Sequence, residues 1–444
     1  MADVPFDVGL LDPTGPAAAT IVGDDAYVRA MVDAEEALLG ALATAGAAPS
    51  GPSGLGDIEL DVPAIAAAGR AGGNPVIPLL AALKAGATGE VQAVLHQGAT
   101  SQDILDTAAM LVAARARTAI GSALGPVLDG LATLAEETRH TPVAGRTLGQ
   151  QAAPTTFGLR VAVLLDGITR AWRALEAVEL PAQLAGSVGT LAVLADALGE
   201  DAAAQVRREY AERLGLADRP VPWHVERSTV ASLGAALAVL LGALGRLGLE
   251  IAQGARTELG ELDLELAEGE GGSSAMPQKQ NPVAAVLLVG AARRAPGLAS
   301  TLLGAELALD DRPSGDWHAE WQPLRELLRL ALESADLAAA AVAALAVRDD
   351  RMRENLDLSG GAIHAERAQW ALVPFVGRAR AAELVRTALH GDDFVGALAT
   401  AVGAEPDAGP DAVERLRAVT GTGGPVGLSD RMIDAAVAAS RRSA

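Results

Sequence analysis

Gly272-Ser273-Ser274-Ala275-Met276-Pro277-Gln278-Lys279-Gln280-Asn281-Pro282 gathers two hydroxyls, one ammonium and one carboxamide into eleven residues. Glu268, Gly269, Glu270, Gly271 and Gly272 lead into it, so the segment begins as a loop with few side-chain constraints. Asn281 is expected to cap a helix that opens at Pro282 and continues through Val283-Ala284-Ala285-Val286-Leu287-Leu288. An ionisable Ser on a loop, followed by Lys and Asn on a rigid anchor, suits proton transfer beside a carboxylate. Lys279 can neutralise a carboxylate that gains charge as a proton leaves the adjacent carbon, and Asn281 can orient it. A plain Gly/Ser linker would not need Met-Pro-x-Lys-x-Asn-Pro after its serines.

Working outward, His96-Gln97-Gly98-Ala99-Thr100-Ser101-Gln102-Asp103 precedes a helix that carries Ile104, Leu105, Ala108, Leu111 and Val112 on one face. Thr100 and Ser101 offer hydroxyls where the helix dipole favours an anion; alone, a carboxylate cradle and a simple capping motif explain them equally well. Gly145 to Gly158 adds Arg146, Thr147, Gln150 and Gln151, with Leu148 between them. Arg312 to Trp321 adds a cation and two tryptophans at the i, i+4 spacing of core packing.

The composition favours helices. Half of the 444 residues are hydrophobic but 2% are aromatic, and Ala, Leu and Gly dominate. Such helices bury little area each, so a long bundle reinforced by other subunits is expected. The segments group as an N-terminal helical domain (1–99), a central long-helix domain (100–350) and a C-terminal helical domain (351–444), with short helices up to about Leu95. With 35 basic and 56 acidic residues the formal charge is −21. The chain shows no basic cluster for nucleic acid, whereas a few cations in a cleft can still hold a small anion. The absence of cysteine and an N-terminus without a signal-peptide pattern fit a cytoplasmic protein. The uncharged run Thr229 to Gly245 reads as a buried bundle helix rather than a membrane span.

The signature string matches every fixed position of Gly-Ser-Ser-x-Met-Pro-x-Lys-x-Asn-Pro, and so resembles the fumarase/aspartase superfamily. The segments at 96–103 and 145–158 resemble two further blocks of that family. The resemblance implies an all-α, three-domain fold with a long central bundle, assembled as a homotetramer whose subunits share active sites. It implies catalytic roles for Ser273, Lys279 and His96. Substrate contacts would come from Thr100, Ser101, Gln102, Arg146, Thr147, Gln150, Ser274, Met276, Asn281 and Arg312. The implied reaction needs no metal or organic cofactor. Leu148 and Val286 stand where many relatives carry a catalytic His and the Glu that orients it, and the paired loss avoids a buried carboxylate without its imidazole. This departure argues against an ordinary fumarase, argininosuccinate lyase or adenylosuccinate lyase.

Within the superfamily, Gly315-x-Trp317-x-Ala319-Glu320-Trp321 after Arg312, the apolar residue at 148 and Pro282-Val283 resemble the bacterial 3-carboxy-cis,cis-muconate cycloisomerase branch. That branch interconverts a small tricarboxylate and its lactone by intramolecular carboxylate addition and elimination, in protocatechuate (beta-ketoadipate) catabolism. The alternatives are another lyase of the superfamily that releases fumarate, and a non-catalytic structural relative. Of the remaining histidines, His224 and His390 read as surface or turn residues and His364 as part of a helical face. His140 and His318 are the two that could occupy the space of the missing imidazole.

Overall fold

The computed structural model describes residues 10–11, 18–265, 270–272, 275–276, 278–390, 393–406, 408–421 and 426–442. Among these, helices dominate and the only sheets are three two-stranded pairs. The chain forms two compact units: Met1–Leu124 with Ala171–Gly245 and Gly290–Leu337, and Gly125–Arg170 with Arg246–Val289 and Ala338–Ala444. The unit boundaries fall inside the long helices Ser101–Glu137, Phe157–Glu176, Ser228–Gly254, Val283–Gly304 and Asp316–Ala343.

In the first unit, the 21-residue helix Asp24–Thr44 is longer than the short helices expected before Leu95. Its run Ala-Glu-Glu-Ala-Leu-Leu-Gly-Ala-Leu is made of strong helix formers, with the first break at Gly46. Helix Ser101–Glu137 buries Ile104, Leu105, Ala108, Leu111 and Val112, the face its periodicity predicts. Each Ile, Leu or Val among them contributes about 1.5–3 kcal/mol on full burial. In the second unit, helices Ala365–Ala388, Phe394–Gly403 and Gly409–Thr420 share a core of Leu372, Leu384, Phe394, Leu398, Val402 and Leu416.

The segment 142–156 is more than a break between helices. Pro142–Thr147 and Gln150–Thr156 pair antiparallel around Leu148 and Gly149, whose φ angles are 51° and 81°. Positive φ at both central residues is the two-residue hairpin turn that matches strand twist. The β-branched Val143, Thr147, Thr155 and Thr156 supply the strand propensity.

Among the described residues, three helices are long and apolar enough, by length and composition, to cross a membrane. In the most apolar of them, Ser228–Gly254, 61% of the apolar window is buried within the chain, against 28% in Val283–Gly304. Apolar surface on the latter is therefore left uncovered by this chain.

Candidate active site

In the first unit, the turn before helix Ser101–Glu137 brings His96, Thr100 and Arg312 into one polar edge. Gly98 makes the turn possible: its φ is 78°, and a Cβ there would sit 2.4 Å from the Leu194 side chain. Thr100 precedes the helix, and its backbone N–H donates to Asp103 Oδ2 at 3.0 Å, one half of a capping box. Its hydroxyl instead accepts from Arg312 Nη1 at 2.8 Å. Arg312 also lies over the Trp317 ring, 5.9 Å from its centroid. His96 places Nδ1 2.6 Å from Glu35 Oε1.

Beneath this edge lies a buried layer of charge. Asp103 also accepts from the Ala185 and Gly186 backbone at 3.2 and 2.9 Å, and its Oδ1 is 2.7 Å from His224 Nε2. One helical turn on, Asp106 accepts from Gln102, Arg227 and Trp317 Nε1. Arg227 bridges Asp106 to Glu320 and donates to the Trp223 carbonyl. Burial opposes the Arg227 charge, but the Asp106 and Glu320 carboxylates outweigh it and its pKa rises. Burial pushes the Glu320 carboxyl above its ordinary value, with Arg227 pulling the other way. Such a layer fixes the start of the helix, because each group is held by partners from several segments.

In the second unit, the hairpin carries Arg146, Thr147 and Gln150. Arg146 forms a bidentate pair with Glu261, at 2.9 and 2.5 Å. Glu261 is 2% exposed and also accepts from Asn355 Nδ2, while Arg160 Nη1 lies 3.8 Å away. Thr147, Leu148 and Gln150 are exposed at the hairpin tip. Asn281 does not cap with its side chain. Its backbone N–H and Nδ2 both donate to the Gly271 carbonyl, at 2.8 and 3.0 Å, and the helix starts at Val283. The signature loop is thus pinched at its base. The helix begins at Val283, so Asn281 lies one residue before the cap position and its Nδ2 closes the loop instead. Lys279 and Met276 are exposed, and Lys279 forms no ion pair among the described residues. Ser273 and Ser274 lie outside the described residues.

The structure therefore brings together Thr100 and Arg312 in the first unit, with His96 and Ser101 on the same turn. It turns Gln102 inward: that side chain is fully buried and donates to Asp106 and the His224 carbonyl. His224 lies in the bend before helix Ser228–Gly254 but not on the surface, being 2% exposed and paired with Asp103. The sequence offered a signal, since Trp223 beside it is a large apolar residue that is also buried. His364 lies in a short 3-10 turn rather than on a helical face, and burial lowers its pKa. His140 pairs with Asp430 at the base of the hairpin, about 20 Å of strand away from Leu148, so it does not fill that position. His318 donates to the Gly73 carbonyl and packs against Trp317 and Trp321. The two tryptophans make the edge-to-face contact that their spacing predicts, with centroids 4.9 Å apart. Glu35, Asp106, Arg227 and Glu261 are the site-supporting residues that the sequence reading missed. Among the described residues no group of three or more His, Asp and Glu side chains is arranged to hold a metal ion.

This fold and these blocks define a lyase of the fumarase/aspartase type. The family described as Lyase matches residues 73–297, and the chain belongs to that family. It is 45% identical over 399 residues to the nitrosuccinate lyase of Streptomyces davaonensis, covering 86% of this chain and 84% of that protein. It is 38% identical over 400 residues to the 3-carboxy-cis,cis-muconate cycloisomerase of Pseudomonas aeruginosa, covering 87% and 85%. The crystal structure of the 3-carboxy-cis,cis-muconate lactonizing enzyme from Pseudomonas putida superposes with a TM-score of 0.87 at 33% identity, covering 98% and 99%.

Proposed function

We propose that the chain eliminates a stable anion from the carbon β to a substrate carboxylate, and adds it in reverse, without a protein general acid. The observation that carries this reading is Leu148, fully exposed at the hairpin tip where many relatives place an imidazole. An amine or hydroxide leaves only if it is protonated, whereas a carboxylate, the anion of an acid with a pKa near 4, leaves as it is. Lactone opening expels such a group. In that direction the C–H bond next to a carboxylate breaks, its electron pair passes through the aci-carboxylate into the new double bond, and the ring carboxylate departs with the C–O pair. Lys279 and Asn281 would hold the carboxylate that gains charge, and Ser273 or His96 would take the proton.

The substrate we propose is 3-carboxy-cis,cis-muconate and its lactone, supported by the Gly315 to Trp321 block and by the cycloisomerase relatives. The 45% identity to nitrosuccinate lyase supports a second reading. There nitrite, also a stable anion, would leave nitrosuccinate as fumarate forms. A cytoplasmic homotetramer, sharing active sites between subunits and covering the apolar surface of Val283–Gly304, completes the proposal.

The test pairs the two substrates on one preparation: diene absorbance for carboxymuconate, and nitrite with fumarate for nitrosuccinate, beside Lys279→Ala. Turnover of carboxymuconate that Lys279→Ala abolishes supports the first reading, and turnover confined to nitrosuccinate replaces it by the second. Turnover of neither by a folded oligomer overturns both.

A further inference from the structure

Glu35 sits in the middle of helix Asp24–Thr44 with no exposed surface, among Met31, Ala34, Leu38 and Leu39 of the same apolar face. Its Oε1 contacts His96 Nδ1 at 2.6 Å, while Oε2 has no partner among the described residues. A carboxylate buried in this way is costly, and an apolar residue of similar volume is ordinarily neutral or stabilising in its place. His96 is itself held at φ 66°, a left-handed conformation that costs a non-glycine residue about 1–2 kcal/mol. Two unfavourable features thus meet at one short contact. Their joint result is definite: with Nδ1 directed at Glu35, the other ring nitrogen, Nε2, has no partner among the described residues. His96 is partly exposed, on the same turn as Thr100, whose hydroxyl Arg312 holds.

We propose that Glu35 is a positioning residue that fixes His96 as the Nδ1–H tautomer and presents the Nε2 lone pair to the substrate at the Thr100–Arg312 edge. In the elimination direction, Nε2 takes the proton lost by the carbon next to the substrate carboxylate. The C–H electron pair stays with the substrate and the leaving group departs with its own pair. The imidazolium keeps its Nδ1–H on Glu35 until Nε2 returns the proton to water. Proton acceptance by His96 rests on the proposed lyase reaction; the tautomer does not.

The experiment uses the full-length oligomer with [15N]histidine, the His96 signals being assigned through His96→Gln. Wild type should show a protonated Nδ1 and an unprotonated Nε2. Glu35→Gln, whose Oε1 can still accept, should retain that pattern, and Glu35→Leu should lose it. An Nε2–H tautomer in wild type, or an unchanged pattern in Glu35→Leu, overturns the proposal whatever the enzyme's substrate. On whichever of the two substrates wild type consumes, Glu35→Leu should lower kcat about a hundredfold. KM and the melting temperature should stay near wild type. A fall in kcat/KM through KM alone, or unchanged kinetics, would refute the catalytic part while the lyase reading stands. If wild type consumes neither substrate, the lyase reading and the proton-accepting role fall together and the spectra alone decide the tautomer.

Discussion

Replacing Arg227 with Met withdraws the guanidinium that lies between the Asp106 and Glu320 carboxylates, both nearly inaccessible to water. Asp106 keeps donors from Gln102 Nε2 at 3.1 Å and Trp317 Nε1 at 2.9 Å. Glu320 loses all three hydrogen bonds from Arg227, so proton uptake is its way of relieving the buried charge. Its folded-state pKa is already raised in the wild type, by burial. A raised carboxyl favours the folded state below its unfolded pKa, and that advantage disappears as pH rises through the folded value. In Arg227→Met the rise becomes larger. Keeping Glu320 protonated costs about 1.4 kcal/mol for each pH unit above an unfolded pKa near 4.3. The variant's deficit should therefore be about 4 kcal/mol at pH 7.5 and about 1 kcal/mol at pH 5, in line with the ~3–5 kcal/mol typical of a broken buried pair. Urea unfolding followed by far-ultraviolet circular dichroism, at one protein concentration and both pH values, measures it. Adding Glu320→Gln should recover most of the deficit at pH 7.5. A deficit under about 1 kcal/mol at pH 7.5, or one equal at both pH values, would refute the reasoning.

Leu148→Asn, at an exposed turn position with φ 51°, should raise stability by about 0.5–1 kcal/mol in thermal unfolding, because Asn tolerates that conformation better. Asn281→Ala removes one of the two donors that close the signature loop on Gly271; it should cost about 1 kcal/mol or less and lower kcat far more than it changes the melting temperature. Arg146→Met leaves Glu261 with Asn355 and a distant Arg160, and should destabilise the protein by about 3 kcal/mol in urea titration. Burial lowers the His364 pKa, so its neutral form stabilises the fold above the unfolded value near 6.5. That contribution is lost as pH falls toward the folded pKa, and His364→Leu should flatten the decline in melting temperature between about pH 7 and 5.

The helical architecture was legible because periodicity and composition agree with it: Ile104, Leu105, Ala108, Leu111 and Val112 form one buried face. The hairpin was not, since Ala and Gly dilute its β-branched residues and the turn uses Leu148 where Asn or Gly is usual. The signature and the Thr100 turn were visible as chemistry. Their support was not, because Glu35, Arg227 and Glu261 lie 61, 121 and 115 positions from His96, Asp106 and Arg146. No local spacing encodes such pairs. One clue was present in the helix itself: Gln102, Asp103, Asp106 and Thr107 interrupt a face that is otherwise apolar, and all four are buried. Polar residues on a core face must find partners from elsewhere in the chain.

That clue separates two roles that a sequence block merges. Thr100, with Arg312 on its hydroxyl, stays partly exposed and can meet an anion; Gln102 and Asp103 in the same block are sealed beneath it. Asp103 gathers donors from residues 100, 185, 186 and 224, so a small movement of any one of these segments leaves a charged acceptor under-satisfied. The geometry of the exposed edge is thereby tied to a cooperative buried network instead of to the mobility of a turn. A site that stabilises a developing charge requires this preorganisation, because donors that must move during the reaction lose the advantage of being in place. In the first unit, the block's exposed residues would recognise the substrate, and its buried residues would keep that recognition rigid.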